Sequence, residues 1–186
     1  TYTELEDKLS QVEITVKPTD VTIEVGKSKK ITTTIKGLSD AEKKRIIAKW
    51  VPIDDTTQTS SAVVDVDDLG VITVKNNPAG DSAQVQAEFY YVDTDGQEYP
   101  IGPAAKEGKT IISEVVKVTV KPVLSAGITK ENGTVLAEPS LAPELTIRKS
   151  DLPITITVQS IPAAKDLEVA PSYNTAFGKY LKAEER

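Results

Sequence analysis

The chain has 186 residues, a formal net charge of -6 and a pI near 4.9, with 39% hydrophobic residues and no cysteine, histidine or methionine. That length holds one large domain or two small ones, and no apolar run approaches the roughly 20 residues that a membrane-spanning helix needs. An acidic balance argues against a grip on phosphate backbones, and without His or Cys there is no Ser-His-Asp triad, no Cys-His pair, no ordinary zinc site and no disulfide.

Val, Ile and Thr recur between 11 prolines and 10 glycines, the composition of short strands joined by turns, so the expected class is all-β. The sequence begins at Thr1. A small residue behind a trimmed initiator methionine is the expected start, and removal of a signal peptide or of upstream domains is the alternative.

Thr3 and Glu6 have capping-box spacing, and Leu5, Leu9 and Val12 share one helical face, so residues 3–11 read as a short amphipathic helix. About nine residues are marginal alone in water, so this helix must pack on its own domain or on a neighbouring subunit. Three alternating runs follow, Val12-Ile14-Val16, Val21-Ile23-Val25 and Ile31-Thr33-Ile35, each ended by a proline or a glycine. Ser39 and Glu42 form a second capping box, which predicts one or two helical turns.

The stretch R-I-I-A-K-W-V-P-I at 45–53 holds the only tryptophan. Alternation puts Ile46, Ala48 and Trp50 on one face and Ile47, Lys49 and Val51 on the other. A buried tryptophan removes about 200 Å² from water, so Trp50 is read as the packing centre of the core. Residues 54–61 read as a polar loop, and Val63, Val64 and Val66 lead through D-D-L-G to a partner strand at 71–74. The longest alternation is Ala83, Val85, Ala87, Phe89 and Tyr91. It predicts a central strand facing Trp50 across the core, with Val85 and Phe89 as companions. A turn at 95–96, a loop at 102–109 and a last strand over 111–120 close the sheet before Pro122.

The segment D-T-D-G at 93–96 resembles the opening of a calcium loop but lacks the third acidic ligand and the glutamate at position 12. It reads as a hairpin turn, as does the cluster Asp65, Asp67 and Asp68. There is no G-x-G, no full G-x-x-x-x-G-K-[ST] phosphate loop and no Ser-x-x-Lys. With only 5% aromatic residues, neither a sugar-cleaving cleft nor a carbohydrate-binding platform is indicated. No catalytic residue, metal ligand or cofactor is assigned, and an enzyme is not expected. The lysines at 27, 29 and 30 and the basic run 43–45 read as solvated charges. Asn132-Gly133-Thr134 fits the glycosylation triplet and is equally a turn former.

Residues 123–186 are less regular. Strands are predicted at 134–136, around Leu145 and Ile147, and at 154–158, between prolines 139, 143, 153, 162 and 171. Tyr173, Phe177, Tyr180 and Leu181 fall at helical spacing, weakened by Gly178. The region is expected to complete its fold against a partner or against the first domain. The organisation is thus a helical segment at 1–11, a β-sandwich at 12–122 and a smaller β-rich, proline-rich region at 123–186 ending in an amphipathic helix.

Within 12–122, V-T-I-E-V-G-K-S-K-K-I-T-T-T-I, then K-W, then V-V-D-V-D-D-L-G-V-I-T-V and P-A-G-D-S-A-Q-V-Q-A run in that order. This series resembles the bacterial Ig-like domain of group 2. The resemblance implies an immunoglobulin-like antiparallel sandwich and a non-enzymatic structural role. Such domains occur in capsid, neck and tail proteins of phages, so the expected protein is a virion accessory or decoration protein. The alternative is a bacterial cell-surface module, an S-layer subunit or adhesin stalk. Expected partners are other structural proteins of the assembly, further copies of the chain, or a host-surface glycan or protein, with neither nucleic acid nor membrane. Leu5, Leu9, Tyr173, Phe177, Tyr180 and Leu181 are the expected docking residues, because apolar and aromatic side chains on one helical face form interface cores.

Overall fold

A computed structural model describes residues 2–53, 61–141 and 146–164. The architecture is all-β and sandwich-like, with two short α-helices among the described residues. The chain divides into two units, Thr1–Leu124 with Ile161–Ala163, and Ser125–Ser160 with Ala164–Arg186.

The larger unit opens with α1 (Tyr2–Ser10), β1 (Glu13–Lys17), β2 (Asp20–Glu24), β3 (Ser28–Lys30) and β4 (Thr32–Lys36). It continues through α2 (Asp40–Lys43), β5 (Ile46–Pro52), β6 (Val64–Val66), β7 (Val71–Val74), β8 (Ser82–Val92), β9 (Glu98–Pro100) and β10 (Val116–Lys121). α1 carries Glu4 in its first turn and Lys8 in its last, the polarity its dipole favours. It begins at Tyr2, one residue before the start that the spacing predicts. α2 has the capping box its spacing predicts: Ser39 Oγ accepts the Glu42 N–H, and Glu42 Oε1 accepts the Ser39 N–H at 3.0 Å.

The strands form two layers around one core. β2, β10, β8 and β5 lie side by side in that order, and β9 adds to the far end of β8. The second layer is β3-β7-β6 together with the pair β1-β4. All these ladders are antiparallel except β2 with β10, which runs parallel from Lys117 opposite Asp20 to Lys121 opposite Glu24. Period-2 alternation sends Val21 and Ile23, Val85 to Tyr91 at odd numbers, and Val116, Val118 and Val120 inward from one layer. Val64, Val66, Ile72 and Val74 meet them from the other. Each such side chain is worth about 1.5–3 kcal/mol of transfer free energy.

Three details differ from the sequence reading. The strand expected at 31–35 is β4, which starts at Thr32 and pairs with β1, while the residues just before Ile31 form β3 and pair with β7. The break falls at Ile31, whose side chain is buried in the core and whose N–H donates to Gly70 O at 2.9 Å. β8 does not face Trp50 across the core but lies beside it in the same sheet, with Trp50 opposite Ala87 and Ala48 opposite Phe89. The last strand begins at Val116, not at residue 111, because side chains replace part of the ladder along β8. Thr110 Oγ1 donates to Phe89 O, and Ser113 Oγ accepts the Ala87 N–H at 3.0 Å.

In the smaller unit β11 (Val123–Lys130) is flanked by β12 (Val135–Ser140) and β13 (Ile154–Ile161). The β11–β12 turn is closed by Asn132, whose Oδ1 accepts the Thr134 N–H at 3.0 Å, and by the Gly133 N–H on Lys130 O. Asp151 accepts the Arg148 N–H and stands 3.5 Å from Lys130 Nζ, and the Arg148 backbone hydrogen bond leads in holding its carboxyl below the ordinary value. Among this unit's described residues Ile128 is the one large apolar side chain that is buried. Ile147 is not in a strand, and Leu145 lies outside the described residues.

Candidate functional site

Trp50, Val85 and Phe89 are 2%, 0% and 1% exposed. The indole meets Phe89 edge to face, with centroids 6.4 Å apart and planes at 79°, the arrangement ring quadrupoles favour. From the opposite layer the β6–β7 turn closes on the same indole at Gly70. Trp50 therefore packs within the core. A separate shallow hollow of about 560 Å³ is lined by Asp20, Ile53, Val63, Gln84, Lys117 and neighbouring residues. Among the described residues that line it, Asp20 is the one carboxylate, and it sits opposite Lys117 in the β2–β10 register.

The two acidic turns share one geometry. Asp67 Oδ1 accepts the N–H groups of Leu69 and Val71, and Asp93 Oδ1 those of Asp95 and Gln97, all at 2.9 Å. Gly70 and Gly96 hold positive φ in the same place, +78° and +82°. Tyr99 O–H donates to Asp93 Oδ2 at 3.1 Å. These bonds, led by the Gln97 N–H, keep the Asp93 carboxyl below its ordinary value. Both carboxylates are thereby committed to their own turns. Asp65 lies 3.8 Å from Lys75 Nζ. Among the described residues no group of three or more acidic side chains is placed to hold a metal ion.

α1 is tied to its own unit. Leu9, expected at a docking surface, is 2% exposed and belongs to the core, and Leu5 is half-buried against it. An apolar side chain at this depth is already removed from water, which corrects its reading as a partner contact. Lys8 Nζ reaches Glu42 Oε1 and Lys106 Nζ reaches Asp7 Oδ1, each at 2.5 Å, while the Gly102 N–H donates to Leu9 O at 2.8 Å. Lys8, with the Ser39 hydroxyl and N–H, pushes the Glu42 carboxyl down to about 2. Tyr173, Phe177, Tyr180 and Leu181 lie outside the described residues.

One cluster was not foreseen. On the outer face of the five-stranded sheet Lys49 Nζ lies 4.7 Å over the Tyr90 ring and 2.7 Å from Glu98, while Tyr90 O–H donates to Glu88 at 2.9 Å. Burial, then Glu88, raises the Tyr90 phenol above its ordinary value. Lys49 and Tyr90 fall out of phase with the core residues of β5 and β8, and that phase was the available signal. The cluster ties β5, β8 and β9 together across that surface. No family model matches the chain, and no curated protein matches it.

Proposed function

We propose that the chain is a non-enzymatic structural module, an immunoglobulin-like domain of the bacterial group 2 kind, serving as an accessory or decoration protein of a bacteriophage virion. The observation that carries the reading is the strand order. Count β1 with β2 as the first strand, split between the layers, and β3 with β4 as the second, within one layer, and let β5, β6, β7, β8 and β10 follow. The layers then read first-second-fifth-fourth and seventh-sixth-third, the arrangement of a seven-stranded immunoglobulin sandwich. The segments behind the group 2 resemblance fall on this frame at functional joints of the fold: Trp50 at its centre, V-D-V-D-D-L-G-V-I-T-V as the β6–β7 hairpin, and A-Q-V-Q-A in β8.

On this reading the work is mechanical. Asp67, Asp93, Ser61 and Ser113 spend their polar atoms on turns and strand edges, so the module is a stiff body whose surfaces make the contacts. The test is location. Antibody raised against the chain, applied to purified phage particles in the electron microscope, should label their outer surface, and the chain should appear in the particle proteome. Recovery from the bacterial envelope instead would assign it to an S-layer or adhesin, and absence from both would overturn the structural reading.

A further inference from the structure

We propose that β13 is a self-association edge, which pairs antiparallel with β13 of a second copy of this chain about a twofold axis at Ile156. The strand reads I-T-I-T-V-Q-S-I and pairs with β11 on one side, and among the described residues no strand lies on the other. Exposed strand edges are ordinarily guarded by charges or prolines. The other sheet-end strands follow that rule: β5 carries Lys49 and Pro52, β2 Asp20 and Glu24, and β12 Glu138 and Pro139. β3, β6, β1 and β4 each carry at least one charge. β13 is the exception, eight residues long with neither guard.

Its pattern also fits itself. With Ile156 opposite its own copy, Ile154 falls opposite Val158 and Thr155 opposite Thr157. Apolar then meets apolar on one face, hydroxyl meets hydroxyl on the other, and no like charges are opposed. A slip of one residue would set isoleucine against threonine, which selects the register. Ile156 is 53% exposed, and Ile128 is the unit's one buried large apolar side chain among the described residues. A three-stranded sheet with so little beneath it is marginal alone, and joining two copies makes a six-stranded sheet with a continuous apolar stripe.

The inference holds whether or not the chain serves in a virion, and it is tested on the full chain alone. Sedimentation over a concentration series should show a monomer–dimer equilibrium. Ile156→Lys opposes two ammonium groups at the axis and should weaken it by roughly tenfold or more. Because the chain has no cysteine, Ile156→Cys gives a single thiol that should form a disulfide-linked dimer under mild oxidation. Leu69→Cys, at a position 71% exposed in the larger unit, should cross-link far more slowly. A chain that stays monomeric throughout, a dimer that survives Ile156→Lys, or equal cross-linking at the two positions would overturn the proposal. Should Ile156→Lys fail to fold, the cross-linking comparison decides.

Discussion

A Cβ built on Gly70 would stand 3.2 Å from both Cε2 and Nε1 of Trp50 and 3.1 Å from Ile31 O, so the β6–β7 turn rests directly on the indole edge. The glycine serves twice there, supplying a φ of +78° and leaving room for the ring. Gly96 has nearly the same φ in the matching turn, with nothing within 4 Å of its Cβ position. Gly96→Ala should therefore cost only the left-handed backbone penalty, about 1 kcal/mol, and Gly70→Ala about 2–3 kcal/mol. Urea unfolding followed by Trp50 fluorescence measures both, and equal losses would mean that the close approach contributes nothing.

The contrast explains what could be read in advance. Alternation in β8 and β10, and the inward direction of Trp50, follow from period-2 patterning that local sequence carries. Which strand lies beside which does not, because pairing depends on long-range packing. The patterning alone therefore suggests that β8 faces Trp50 across the core, whereas the two strands are neighbours in one sheet. The break at Ile31 is hidden for a similar reason: its apolar spacing with Ile35 reads as one strand, while its N–H donates to Gly70 O, 39 positions later. Burial of Leu9 was open in the sequence, since an amphipathic helix fits its own domain and a neighbour equally well.

Gly102 carries a second steric test. Its φ is +103°, and a Cβ there would fall inside the Ile111 side chain. Its N–H also holds the end of α1 through Leu9 O. Gly102→Ala should cost about 3–4 kcal/mol, combining backbone strain with overpacking. Adding Ile111→Ala should return part of that loss, making the pair less destabilised than the sum of the single changes. Thermal unfolding of the three variants measures this, and strict additivity would place the clash elsewhere.

The edge-to-face contact of Trp50 with Phe89 should appear as a coupling. Trp50→Leu and Phe89→Leu are each expected to destabilise by about 2–4 kcal/mol through lost burial. The double variant should recover about 0.5–1.5 kcal/mol relative to their sum, the typical worth of an aromatic pair beyond its area. Circular dichroism supplies the readout, since the fluorophore is removed. A coupling of zero would reduce the two rings to independent fillers of the core.

Acid should loosen the α1–α2 tie through one carboxyl. Glu42 is held at about 2, chiefly by Lys8 and then by Ser39, against an ordinary value of 4.5. A group depressed on folding stabilises fully above its unfolded value, and the contribution fades as the pH falls from about 4.5 through about 2. The Glu42 side chain is 20% exposed and that of Lys8 47%, so screening keeps the pair's worth near or below about 1 kcal/mol. The lead of the wild-type chain over Glu42→Gln should be constant from pH 8 to about pH 5, shrink across that window and vanish near its lower end. Lys8→Gln should show the same convergence. Denaturant midpoints at successive pH values for the three proteins test this. A lead that persists undiminished to the acid limit would mean that the Glu42 carboxyl is not depressed on folding and that the lead has another source.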